Sequence, residues 1–167
     1  MTADRGALPE AAFAAKIATR DGLEARLAML ARPRVFTNGV FDLLHRGHVS
    51  YLDRARRLGG SLIVGVNTDD SVRRLGKGGD RPINPLEDRL AVLAALEAVD
   101  LVIPFDEDTP LALVIACRPD IIVKGGDYTV ETTVGAAEVT GWGGRFEAIP
   151  LVPGRSTTRL LARVRGR

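Results

Sequence analysis

The chain is poor in the residues that most often carry chemistry. It has one cysteine, Cys117, and two histidines, His45 and His48. A single cysteine cannot form an internal disulfide, which fits a reducing compartment. Cys117 sits in LALVIACRPD with apolar neighbours and no histidine or basic cluster beside it, so it is read as a buried structural residue. A structural zinc site would want further His or Cys ligands, and only Cys117 is left to supply one, so no metal-ligating residues are assigned. No G-x-S-x-G elbow is present, which argues against serine-type nucleophilic catalysis. No apolar run reaches the roughly 18 residues of a membrane span. The opening MTADRGALPEAAFAAKIA carries acids and lacks a compact apolar segment with a cleavage site, so no signal peptide is read. No Lys/Arg block of five or more occurs and the net charge is only +2, which argues against a nucleic-acid-coating protein. The expectation is a cytoplasmic protein with no membrane and no nucleic-acid partner. Its small basic excess suits anionic small molecules.

What remains is ordinary in amount and informative in order. The 167 residues, 46% hydrophobic and 26% charged, suit one α/β domain with a proper core. Residues 1–32 read as an N-terminal extension plus a helix packing on the domain, and 33–167 as the domain itself. Residues 1–18 are Ala-rich, weakly patterned and expected to be partly mobile. A helix through LEARLAMLA is expected to be capped by Thr19 or Asp21 and to end before Pro33.

Beyond Pro33 short apolar runs alternate with helical patterns. Strands are expected at 35–38, 61–67, 101–105, 120–126 and 146–151. Helices are expected at 48–59, around DDSVRRL, at 85–99 with Pro85 in the first turn, at 109–118 and at 156–165. Strands without polar alternation, separated by helices, predict a Rossmann-like, doubly wound parallel sheet with helices on both faces. An apolar helix face such as LAVLAAL (90–96) is expected to serve a subunit interface. Parallel sheets bind ligands at the carboxyl ends of their strands. The distinctive residues gather there: Asn38-Gly39, Asn67-Thr68-Asp69, Gly125-Gly126-Asp127 and Gly154-Arg155-Ser156-Thr157 each follow a strand.

Both histidines lie in TNGVFDLLHRGHVSYL, Thr37 to Leu52, directly after a strand and a glycine turn. Gly39 lets backbone approach a ligand closely. A helix beginning near Gly47 presents free N–H groups and a positive dipole end to an anion. His45 and His48, three positions apart, can face one bound phosphate across that entry and donate hydrogen bonds as charge builds in a transition state.

This stretch resembles the first motif, T/HxGH, of the cytidylyltransferase-like nucleotidyltransferases. GRSTT, Gly154 to Thr158, looks like their second motif, a Ser/Thr pair opening the last helix. Between the two, GVNTDDSVRRLGKGGDRPIN, VKGGDYTVETTVGA and GWGG are similar to the bacterial heptose-1-phosphate adenylyltransferases. That resemblance implies a nucleotidyltransferase fold and an enzyme joining ATP to D-glycero-β-D-manno-heptose 1-phosphate, giving ADP-heptose and pyrophosphate for lipopolysaccharide core assembly. It implies Mg²⁺ bound with ATP, a separate sugar kinase and phosphatase in the pathway, and a homo-oligomer, dimeric by preference. It implies catalytic roles for His45, His48 and Lys77, the last reaching phosphates from the loop LGKGGD. Thr37, Asn38, Gly39, Val40, Phe41 and Gly47 would form the triphosphate turn, with Asp42 ordering it. Gly125, Gly126, Asp127 and Tyr128 would shape the nucleotide pocket, Tyr128 packing on a ring. Asp69 and Arg89 would meet the acceptor substrate, a helix-surface salt bridge being the plain alternative for Arg89. Ser156, Thr157 and Thr158 would bind phosphate from a helix start, a role compatible with capping.

One departure stands out. Glycerol-phosphate relatives read RTEGISTT where this chain reads LVPGRSTT, so the upstream arginine is missing and Arg155 would supply the phosphate contact instead. Two rival readings remain open on residues alone. One is a cytidylyltransferase of glycerol or another polyol phosphate. The other is a nucleotide-binding regulatory module without catalysis. The tRNA-charging enzymes share an HxGH-like signature but need bulk that a chain this short does not hold.

Overall fold

The protein is described by a computed structural model covering residues 11–76, 81–154, 156–164 and 166. Five strands form one all-parallel sheet in the order β3-β2-β1-β4-β5. They are β1 (Arg34–Gly39), β2 (Ser61–Asn67), β3 (Leu101–Phe105), β4 (Ile121–Gly125) and β5 (Arg145–Ile149). The helices are α1 (Leu23–Ala28), α2 (Arg46–Arg56), α3 (Asp69–Arg74), α4 (Leu86–Ala94), α5 (Leu111–Cys117), α6 (Ala136–Gly141) and α7 (Thr157–Val164).

The continuous apolar runs are explained by burial on both faces, since successive side chains point to opposite sides. Val35, Leu62, Val64, Val102 and Ile121 face one core, which α2 closes with Leu52 and Ala55 and α4 with Leu90, Leu93 and Ala94. Phe36, Ile63, Ile103 and Ile122 face the other, closed by Leu23 and Leu27 of α1, Leu113, Val114 and Cys117 of α5, and Val139 of α6. Burial pushes the Cys117 thiol up to about 12, as expected of an inert core residue. Gly65 in β2 is needed for packing: a Cβ there would come within 3.0 Å of Leu113 and 3.1 Å of Phe36.

Several local expectations are corrected. Neither Thr19 nor Asp21 caps α1; the cap is Gly22 in a left-handed conformation (φ 75°) with no side-chain bond. Pro85 is the cap of α4 rather than its first helical residue, and α4 ends at Ala94. Residues 12–18 are docked: Ala12–Lys16 form a 3-10 turn, Ile17 bridges Val102 at the sheet edge, and Ala18 N–H donates to Val102. The LAVLAAL segment packs Leu90, Leu93 and Ala94 onto the sheet and leaves Val92 and Ala95 exposed.

Strand order reverses about β1: β2 leads to one side and β4 to the other. The crevice at such a switch point is where ligands sit in open α/β sheets.

Candidate active site

A cavity of about 430 Å³ opens at the carboxyl ends of β1 and β4. His45, His48, Ser156 and Thr157 line it, as do Gly125, Tyr128, Leu151 and Val152. Asn38, Gly39, Val40, Phe41 and Gly47 complete that part of the lining.

The turn from β1 into α2 is built by its own residues. His45 is the cap of α2, and its Nδ1 accepts from Gly47 N–H at 3.1 Å. A nitrogen that accepts is unprotonated, so neutral His45 carries its proton on Nε2 and can donate from there. The His45 and His48 rings stack at 4.0 Å between centroids, 16° from parallel, and the Phe41 ring meets His48 edge-on at 5.5 Å. Phe41 holds a left-handed backbone (φ 49°), an uncommon state for a bulky residue and one that concentrates at functional turns. Gly39, for its part, is required by the Phe41 ring, whose nearest carbon would lie 3.1 Å from an added Cβ.

His48 is pushed down to about 4, first by burial and then by the neighbouring His45. Its Nδ1 is buried without a hydrogen-bond partner among the described residues. At neutral pH it is therefore an uncharged imidazole.

The structure moves Thr37 away from the triphosphate-turn role expected of it and adds two residues, Tyr51 and Lys124, that the sequence pattern did not assign. Thr37 is buried and bonds the Tyr51 hydroxyl at 2.7 Å, so its side chain braces β1 on α2 rather than lining the cavity. Burial raises the Tyr51 phenol well above its ordinary value, leaving a neutral hydroxyl. Lys124, at the end of β4, lines the cavity and donates to Asn38 Oδ1 at 2.6 Å and Asn38 O at 3.1 Å, tying the two switch-point strands together. A charged residue closing the apolar run IIVK was the available signal.

The structure relocates Arg89. It is neither a cavity-lining cation nor a surface salt bridge: only 1% exposed, it donates to Val40 O at 2.7 Å, Asn67 O at 2.8 Å, Asn84 O at 3.1 Å and Asp69 Oδ1 at 2.6 Å. It clamps the turn after β1 to the end of β2 and the approach to α4. Asp69 is thereby engaged as its partner and does not line the cavity. Asp127 is exposed and outside the lining, whereas Tyr128 is half exposed within it.

Ser156 caps α7, accepting from Arg159 N–H at 3.2 Å, and Thr158 lines an adjoining cavity rather than this one. Lys77 and Arg155 lie outside the described residues.

A parallel sheet whose switch-point rim carries a stacked histidine pair at a helix entry, faced by a Ser/Thr helix start, defines a nucleotide-binding site of the nucleotidyltransferase kind. The chain belongs to the cytidylyltransferase-like family, whose model matches residues 36–157. It is 58% identical over 160 residues to the D-beta-D-heptose 1-phosphate adenylyltransferase of Bordetella bronchiseptica, covering 95% of this chain and 99% of that protein. It is also 58% identical over 130 residues to the bifunctional protein HldE of Syntrophotalea carbinolica, covering 78% of this chain and 26% of that longer protein. Among solved structures, a lipopolysaccharide core biosynthesis protein from Thermoplasma volcanium superposes with a TM-score of 0.59 at 34% identity, covering 71% of this chain and 95% of that one. Pantothenate synthetase from Thermus thermophilus shares the fold, with a TM-score of 0.57 at 19% identity over 82% of this chain and 62% of that one.

Proposed function

We propose that the protein is an adenylyltransferase that joins ATP to D-glycero-β-D-manno-heptose 1-phosphate, giving ADP-heptose and pyrophosphate for lipopolysaccharide core assembly. The observation that carries the reaction type is the stacked pair His45 and His48 at the entry of α2, lining a cavity of about 430 Å³. The choice of sugar is supported by likeness to the Bordetella enzyme over nearly the whole chain.

In this reading an oxygen of the sugar phosphate attacks the α-phosphorus of ATP in line. The bond from that phosphorus to the bridging oxygen of the β-phosphate breaks, and pyrophosphate leaves with the bonding pair. A phosphate monoester is already an anionic nucleophile, so the site has no need of a strong base. Positioning and charge stabilisation supply the acceleration. His45 Nε2–H and His48 donate to oxygens on the α-phosphate and the leaving group. The N–H groups opening α2 and α7 add their dipoles. Tyr128, Leu151 and Val152 pack the nucleoside end. Lys77 and Arg155 are assigned phosphate contacts from their positions in the two motifs.

Among the described residues no group of three His, Cys, Asp or Glu side chains could hold a metal. A Mg²⁺ ion would arrive on the triphosphate and keep most of its water. Bound there, it would neutralise charge on the phosphate oxygens. In this reading the reaction is expected in the cytoplasm, where a sugar kinase and a phosphatase would supply its substrate. A homodimer is the expected working form, which light scattering would check. No helix of the described residues is long and apolar enough to cross a membrane.

Pyrophosphate release across ATP and CTP, each with a panel of sugar and polyol phosphates, tests the reading. Release with ATP and the heptose phosphate alone is expected. Turnover with CTP and a polyol phosphate, but not with ATP, would overturn it.

A further inference from the structure

His48 lines two cavities: the nucleotide cavity, and a second space of about 460 Å³ that adjoins it. The two share Val40, Phe41, His48 and Thr157 in their linings. The second is closed by Val72 of α3, Thr158 of α7, Asp42 and Arg81. A displacement at phosphorus needs room for groups on both sides of the reacting centre, and this space adjoins the catalytic histidine.

Arg81 is the one cation among the described residues that line it, His48 being neutral at pH 7. The guanidinium is held rather than free to roam. Its Nη1 donates to Asp42 Oδ2 at 3.0 Å, with the Arg81 side chain 15% exposed and that of Asp42 2% exposed. Asp42 is fixed in turn: its carboxylate accepts from Ile83 N–H at 2.9 Å and from Asn84 N–H at 2.9 Å. Asn84 Nδ2 donates back to Asp42 O at 2.9 Å. Asp42 is thus a bracket that holds the chain around Arg81 against the catalytic turn. A single bond from one Nη atom leaves a guanidinium most of its five N–H groups, and their fork matches the oxygens of a phosphate.

We propose that the Arg81 guanidinium, set in place by Asp42, binds a substrate phosphate group in this second cavity. Resting on the function proposed above, that phosphate belongs either to the sugar 1-phosphate acceptor or to the departing pyrophosphate. Both offer the same anionic oxygens. Arg81 is then a substrate-binding residue and Asp42 its positioning residue.

Calorimetric titration separates the possibilities without requiring turnover. Inorganic pyrophosphate, the heptose 1-phosphate and ATP are each titrated into wild-type protein, Arg81→Gln and Arg81→Lys. Arg81→Gln is expected to weaken one of the first two by tenfold or more, with Arg81→Lys recovering part of the loss. Weakened sugar phosphate assigns the cavity to the acceptor, and weakened pyrophosphate assigns it to the leaving group. Unchanged dissociation constants for both, or loss of ATP binding in parallel with a lowered melting temperature in both variants, would overturn the proposal. In that case Arg81 only closes a structural ion pair. Asp42→Asn should reproduce a milder form of the same selective loss. Failure of wild-type protein to release pyrophosphate from ATP would count against the reaction and leave these binding results standing on their own.

Discussion

Around His45 and His48 the chain is pinned from several sides, whereas the start of α7 is lightly held. The first region has His45 as a helix cap, Phe41 against His48, Thr37 on Tyr51, Asp42 on the 81–84 segment and Arg89 on Val40. Facing it, none of α7's residues is buried, and Thr157 Oγ1 reaches Leu43 O at 3.5 Å, the long limit of a hydrogen bond. On the function proposed above, the two motifs are expected to do different work. The histidine turn, held on several sides, would be set in advance for the transition state, as electrostatic catalysis requires. The Ser/Thr helix start would contribute to binding the phosphates.

That contrast can be broken at several points. His48→Ala should lower kcat on the order of 10²–10⁴-fold while leaving the KM for ATP within a few-fold, because its donor acts as charge develops. An unchanged kcat in steady-state assays would remove His48 from the chemistry. Arg89→Met should next cost about 3 kcal/mol of unfolding free energy in urea titration, since it leaves Asp69 and three carbonyls without their donor. Loss of activity at full stability would instead make Arg89 a substrate contact.

A smaller effect concerns pH. His48 titrates at about 4 in the folded protein, below its ordinary value of 6.5. As pH falls from about 6.5 to 4 the unfolded chain takes up a proton the folded one resists, so stability declines across that window and is level above it. His48→Gln should flatten this part of the stability curve, and a curve unchanged in slope would place the proton elsewhere. Ser156→Ala should have the least effect on the fold, under about 0.5 kcal/mol globally, because the helix it caps buries nothing. It should nevertheless raise the KM for ATP several-fold. A large stability loss without a KM change would erase the distinction between the two motifs.

The sheet was largely legible because its strands are short apolar runs between helices: β2 and β3 have the expected bounds, and the other three strands differ from them by at most two residues at an end. Caps were less so: Gly22 serves through backbone conformation, while Thr19 and Asp21 offered only side-chain chemistry. Docking of Ile17 on Val102 was hidden because weak periodicity says nothing about an edge strand 85 positions away in sequence. The histidine pair and the Ser/Thr start were visible as local patterns placed after strands. The Arg89 clamp, the Asp42 bracket and the Lys124–Asn38 tie were not. Each joins residues 20 or more positions apart, where local spacing carries no signal.

The central claim is that the α-phosphorus of ATP is transferred to a sugar phosphate. Incubation of the protein with heptose 1-phosphate and ATP labelled at either the α- or the γ-phosphate tests it directly. The α label is predicted to appear in a sugar nucleotide and the γ label in pyrophosphate. Recovery of the γ label on the sugar, or of both labels only in unreacted ATP, would contradict it.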